Sequence, residues 1–142
     1  MLILLAAAFL AVQDPGSELD CANASNTLEI NDCATKDVAT EQARLETYLA
    51  ASVGVLRDEA ETPEAATTVV TELQASQKAW QAYADSACST VYTRWQSGTI
   101  RNLMALSCRR RLTQDRSHSL WADYLVSLGG EEPVLPEPLF TP

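Results

Sequence analysis

A scarcity of helix-breaking residues is the feature that most constrains what this chain can fold into. Between Ser17 and Leu128 there are only two glycines and one proline, and the other glycines and prolines lie at the two ends. Glycine and proline interrupt regular structure more strongly than any other residues. A sheet needs frequent turns, so this long uninterrupted segment favours a few long helices.

The three exceptions divide the segment. Gly54 lies near the end of the first helical pattern, and Gly98 marks a turn after the second. Thr62 and Pro63 suit an N-cap and the first helical position, so they mark a helix start. Apolar residues recur with a helical period over residues 27–57, 63–95 and 100–128. Short connections favour antiparallel neighbours, so we predict a single all-α domain over residues 14–128, a small antiparallel three-helix bundle.

The chain begins with an unbroken apolar run, Leu2–Val12. The run is too short to span a bilayer, which takes about 20 residues. It matches the apolar region of a secretory signal peptide, which we place approximately at residues 1–13. We therefore predict a periplasmic or secreted protein with no stable membrane insertion after cleavage.

The other end of the chain is rich in helix-breaking residues. Residues 129–142 contain four prolines, two glycines and three acids. Such a segment cannot continue a helix, so we predict a flexible extension. Leu135, Leu139 and Phe140 are the side chains through which it could still dock on the bundle.

Charge is unevenly distributed along the chain. The 142 residues carry 19 acidic and 10 basic side chains, for a net charge of −9. Residues 14–72 have a net charge of −10, whereas residues 73–142 have a net charge of +1. A negative surface excludes general nucleic-acid binding, which needs an excess of Lys and Arg, and disfavours anionic membranes.

Four cysteines indicate two disulfides. Their even number in a small exported domain is typical of structural disulfide bonds. No C-x-x-C pair occurs, and the single histidine cannot complete a usual zinc site. We therefore predict no metal site and no redox role for Cys21, Cys33, Cys88 and Cys108.

Antiparallel geometry restricts how the cysteines pair. Cys33 and Cys88 are nearly equidistant from a turn centred near Glu61, which places them side by side. We therefore prefer the pairs Cys33–Cys88 and Cys21–Cys108. The symmetric placement of Cys88 and Cys108 about the Gly98 turn leaves the rival set, Cys21–Cys33 with Cys88–Cys108, open.

The sequence contains no recognisable catalytic constellation. His118 lies between two serines and has Asp115 and Asp123 nearby, but no G-x-S-x-G turn or glycine-rich loop accompanies it. Acidic pairs beside the turns and in the extension are expected to be solvated; they are Glu59/Glu61 and Glu131/Glu132. We predict that the protein is not an enzyme, with no catalytic residue and no cofactor.

The aromatic and arginine residues have different expected environments. Trp80 is predicted to pack in the core, and Trp95 to be exposed beside the turn. Tyr48 and Tyr83 are predicted to place their hydroxyls at the surface. Residues 109–111 are three consecutive arginines that spread over about 200° of a helix. We expect them to pair with acids of the same chain.

Several of these residues recur in a known order. The segments concerned are Asp20-Cys21-Ala22-Asn23-Ala24, Leu28 to Ala34, Ala43, Leu45, Tyr48, Leu73, Gln77 to Trp80, Tyr83, Asp85, Cys88, Cys108, Leu112-Thr113, Arg116 and Leu120. This pattern resembles the LprI-like lysozyme-inhibitor family of small exported helical proteins with four cysteines. The chain departs from the family pattern at Ala84, where an arginine is usual, and at Ala87, where an acid is common. It also has a single glycine, Gly98, where the family often has two.

The resemblance implies structural roles for the motif residues, namely Asn31, Tyr48, Gln77, Trp80, Tyr83, Asp85, Leu112, Thr113 and Arg116. We expect Arg116 to pair with an internal acid, Asp85 or Asp32. The resemblance also implies an exported binding protein that inhibits lysozyme by occluding its glycan cleft. A basic protein partner suits the acidic first helix, whose possible contacts are Glu29, Asp37, Glu41 and Glu46. The alternative is a structural or adaptor protein of the cell envelope with no enzyme target.

Overall fold

The computed structural model describes residues 19–127, 129 and 132–140, and the predicted signal peptide lies outside them. The three long helices are α1 (Thr27–Asp58), α2 (Pro63–Arg94) and α3 (Arg101–Leu120). A π-helical turn, Trp121–Leu125, continues α3. The described part contains no strand, which confirms the all-α class. The predicted extent of the third helix was too long, because helical conformation ends at Leu125 rather than at residue 128.

Local capping explains where the first two helices begin. The side-chain oxygen of Asn26 accepts a hydrogen bond from the backbone N–H of Glu29 at 3.0 Å. The hydroxyl oxygen of Thr62 accepts one from the N–H of Ala65 at 3.1 Å, with Pro63 at the start of the helix. These bonds satisfy N–H groups that have no partner within the helix, as predicted for Thr62.

The core lies between all three helices in two clusters. The first cluster consists of Leu45, Tyr48, Leu73, Leu120 and Leu125, and the second of Ala84, Cys88, Cys108 and Leu112. Trp80 packs against both clusters, which confirms its predicted place in the core. No helix in the described ranges has the length and apolar character that crossing a membrane requires.

Each disulfide joins two cysteines that have no other cysteine between them in the sequence. The bonds are Cys21–Cys33 and Cys88–Cys108, each with a Cα–Cα distance of 5.6 Å. The preferred pairs, Cys33–Cys88 and Cys21–Cys108, were therefore wrong, and the rival set is present. Equal distance from a turn sets two residues at one height in the bundle but does not make them face each other. About one turn further along α1, Asp37 lies 3.8 Å from Arg110 of α3.

Residues 132–140 of the C-terminal extension contact the bundle. The Tyr48 hydroxyl donates to the carbonyl oxygen of Pro136 at 2.7 Å, and the Trp121 indole N–H donates to that of Leu135 at 3.0 Å. Arg44 donates to the carbonyl of Leu139 at 3.1 Å and lies over the ring of Phe140. A proline-rich segment has few N–H groups of its own, so its carbonyls pair with donors on the bundle.

Two of the three side chains suggested for docking contact the bundle. Leu135 packs against the first core cluster, and Phe140 contacts Arg44. The side chain of Leu139 remains 80% exposed.

Tyr48 is buried at 7% exposure, so the expectation of a surface hydroxyl was wrong for this residue.

Replacing Tyr48 with phenylalanine is expected to lower the free energy of unfolding by about 1 kcal/mol, the usual net contribution of one hydrogen bond. Burial raises the pKa of Tyr48 above its ordinary value of 10.0, against a smaller opposite effect of Arg44. A raised folded-state pKa gives stability that is fully present below pH 10 and is lost as the pH rises from 10 through the raised pKa of the folded state. The gap between the unmodified protein and Tyr48→Phe should therefore shrink above pH 10 in urea titrations.

The exposed tyrosine provides the matched control for this measurement. Tyr83→Phe removes a hydroxyl from a side chain that is 60% exposed, so it should leave the stability unchanged. A gap between the unmodified protein and Tyr48→Phe that stays constant up to pH 11 would contradict the assigned contact.

Candidate protein-binding site

Glu41 is not available to a partner. Its side chain is in the interior, with the whole residue 8% exposed. One carboxylate oxygen accepts a hydrogen bond from Gln114 at 3.0 Å, and the other lies 3.3 Å from the guanidinium of Arg44. The structure therefore overturns the expectation that Glu41 contacts a partner, because a position facing α3 was mistaken for an outward one.

Two other predicted contact acids of α1 also have intramolecular partners. Glu29 accepts a hydrogen bond from the backbone N–H of Ser25 at 2.9 Å, which lowers the pKa of Glu29. Asp37 lies 3.8 Å from Arg110. Glu46 is exposed and forms no ion pair with any residue that the structure describes. Of the four acids, Glu29 and Glu46 thus keep charges that no ion pair with a described residue neutralises, and Glu46 is the more exposed of the two.

Arg116 links α3 to α2 through uncharged groups. Its Nε donates to the amide oxygen of Gln77 at 3.0 Å, and its Nη2 donates to the hydroxyl of Ser76 at 3.2 Å. The expected pairing with Asp85 or Asp32 was wrong. Asp85 lies about 12 Å further along α2, at 1.5 Å per residue, and pairs with Arg109 instead.

The three consecutive arginines are each paired within the chain, as expected. Besides Arg109 with Asp85 and Arg110 with Asp37, Arg111 lies 3.4 Å from Asp115. The three acids lie on three different helices, because successive arginines of α3 point in directions about 100° apart. The pairing neutralises carboxylates on all three helices, which leaves fewer free charges than the composition suggests.

The remaining motif residues divide between core and surface. Leu112 and Thr113 are buried, and Asn31 is half-buried. Tyr83 is exposed, as predicted, and Trp95 is likewise exposed beside the α2–α3 turn. The motif thus consists largely of residues that hold the helices together, and it leaves Tyr83 as its exposed aromatic.

His118 contacts the docked extension rather than a nucleophile. Its Nε2 lies 3.2 Å from a carboxylate oxygen of Glu137, and its ring centroid is 5.4 Å from that of Trp121. In the parts of the chain that the structure describes, no three or more His, Cys, Asp or Glu residues are arranged to hold a metal ion.

A cleft of about 720 Å³ opens between the end of α1 and the segment that follows α3. Its apolar lining comprises Val55, Leu56, Tyr124, Leu125, Val126 and Val134. Four carboxylate side chains also line it, those of Asp58, Glu59, Asp123 and Glu132, and all four residues are exposed. We call this site the acidic cleft.

The carboxylates of the acidic cleft are not neutralised. None of the four forms an ion pair with a residue in the described ranges. Asp58 is the last residue of α1 and Glu59 is its C-cap, where the helix macrodipole is itself negative. Negative charge is therefore concentrated beside apolar surface, an arrangement suited to a cationic side chain with an aliphatic stem.

Sequence reasoning missed the acidic cleft. It treated the acids beside the turn as solvated charge and placed the partner contacts on α1 between Glu29 and Glu46. The available signal was the placement of Asp58 and Glu59 at a helix C-terminus, where a carboxylate is unfavourable. Their approach to Asp123 and Glu132 depends on how the segment after α3 folds back, which no local pattern reveals.

Most of the chain matches the model of one known family. Residues 20–120 match the model of the family described as lysozyme inhibitor LprI. No curated protein and no solved structure shows a significant match to the chain.

Proposed function

Because the chain belongs to the LprI family of lysozyme inhibitors, we propose that it is an exported protein that binds lysozyme and occludes the enzyme's glycan cleft. The family match over residues 20–120 is the observation that carries this proposal. To occlude the glycan cleft, an inhibitor needs a rigid surface of complementary charge and no catalytic activity. The disulfide-linked helical bundle provides such a surface.

The free negative charge of the protein supports a cationic partner. The net charge is −9, and the acidic cleft retains four carboxylates without an ion-pair partner among the described residues. Many lysozymes are strongly cationic, so opposite charges would accelerate the encounter and orient the two proteins. Export is supported by the apolar run at residues 2–12 and by the disulfide bonds.

A lysozyme assay with purified, oxidised protein tests the proposal. We expect inhibition of at least one lysozyme type at low ionic strength. We also expect inhibition to weaken several-fold at about 0.5 M salt, because the range of charge interactions shortens from about 10 Å at 0.1 M to a few ångströms. The measurement is the initial rate of hydrolysis against inhibitor concentration at each salt concentration.

The choice of substrate provides the control. Occlusion of the glycan cleft should slow hydrolysis of both cell walls and a small soluble chito-oligosaccharide. A protein that merely coats the cell wall would slow only the first reaction. Absence of inhibition for every lysozyme tested at low ionic strength would refute the proposal and favour the envelope structural or adaptor role.

A further inference from the structure

We infer that the acidic cleft is the docking site for an arginine or lysine side chain of the partner protein. This inference rests on the proposed function, which supplies a cationic partner. It places the centre of the interface at the C-terminal end of α1 instead of along residues 29–46.

The composition of the cleft fits both parts of such a side chain. Val134 is 60% exposed and Val126 is 38% exposed, so they offer apolar surface to an aliphatic stem. The carboxylates of the cleft can accept hydrogen bonds from the charged head, and arginine can engage a carboxylate through two parallel bonds. A volume of about 720 Å³ lies within the usual range for binding pockets.

The distribution of ion pairs argues for this cleft over the acidic positions whose charges are already paired within the chain. Asp37, Asp85, Asp115 and Glu137 each lie within ion-pair distance of a basic side chain of the same chain. A partner cation would have to compete with those contacts. In the acidic cleft it would instead meet carboxylates that have no ion-pair partner among the described residues, and it would offset the negative helix end at Asp58 and Glu59. Arginine is also among the residues that most often dominate binding energy at interfaces.

Two triple variants with equal charge separate docking in the cleft from general attraction. The cleft triple is Asp58→Asn, Glu59→Gln and Asp123→Asn. The control triple is Asp32→Asn, Glu46→Gln and Glu72→Gln, all at exposed positions that do not line the cleft. Each removes three negative charges, so long-range attraction falls equally. Calorimetric titration with lysozyme should show at least tenfold weaker binding for the cleft triple and less than threefold for the control triple.

A single substitution tests the same site by another route. Val134→Lys places the protein's own ammonium group in the cleft, where it should weaken binding at least tenfold. Val134→Ala should change the affinity less than threefold. Because Val134 is 60% exposed, both variants should keep the melting temperature of the unmodified protein, which circular dichroism checks.

The outcomes distinguish the docking site from the proposed function. If lysozyme binds but both triples weaken binding equally, the cleft is not the docking site and the inhibitor function stands. A stronger effect of the control triple also overturns the cleft and favours the face of α1 that carries Glu46. If the unmodified protein binds no lysozyme, both the proposed function and the docking site are refuted.

Discussion

Replacing Leu120 with alanine is expected to lower the free energy of unfolding by about 3 kcal/mol, within the range for a buried leucine. Leu120 has no exposed surface and lies in the core cluster with Leu45, Tyr48, Leu73 and Leu125. Truncation leaves a cavity where elements from all three helices and the π-helical turn meet, so no single element can move to fill it. Urea denaturation followed by circular dichroism measures the change.

An exposed leucine is the matched control. Leu28 is 71% exposed in the first turn of α1, so Leu28→Ala removes the same atoms without opening a cavity. Its effect should stay below about 0.5 kcal/mol. Similar losses for the two variants would contradict the assignment of Leu120 to the core.

The second large effect is expected from the disulfide that connects α2 and α3. Replacing both Cys88 and Cys108 with alanine should lower the free energy of unfolding by about 3 kcal/mol, because the unfolded chain regains the freedom of a loop whose ends are 20 residues apart. Both cysteines are also buried, so the variant loses packing in the second core cluster. Thermal and urea unfolding of the oxidised protein and the variant measure the difference.

The other disulfide provides a comparison. Cys21–Cys33 ties a short, largely exposed segment to the start of α1 and does not join two helices. That segment can fray while the bundle stays folded, so Cys21→Ala with Cys33→Ala should cost clearly less. A larger loss for this pair would mean that the N-terminal segment is part of the cooperative core.

The helices were predictable because their signals are local. Thr62 and Pro63 mark the start of α2 within two residues of sequence, and the apolar period of each helix needs no tertiary information. The end of α3 was missed because the apolar pattern continues through Tyr124 and Leu125 into a π-helical turn. There the docked extension takes over, and the N–H of Val134 donates to the carbonyl of Leu125.

Contacts between helices were harder to predict because they depend on rotation about each helix axis. Sequence distance from the turn does not give the direction in which Cys33 faces, and the disulfide prediction failed on that point. The partner of Arg116 was missed for the same reason. The acidic cleft required the path of the segment after α3, which only the folded chain reveals.

The pairing of consecutive cysteines has a consequence for how the protein matures. A chain that crosses a membrane N-terminus first exposes Cys21 and Cys33 to an oxidant before Cys88 emerges, and Cys108 follows Cys88. Oxidation in order of arrival therefore forms the native bonds, Cys21–Cys33 and then Cys88–Cys108, with no need to exchange partners afterwards. If the protein is exported as proposed, its correct oxidation requires a thiol oxidase but no disulfide isomerase.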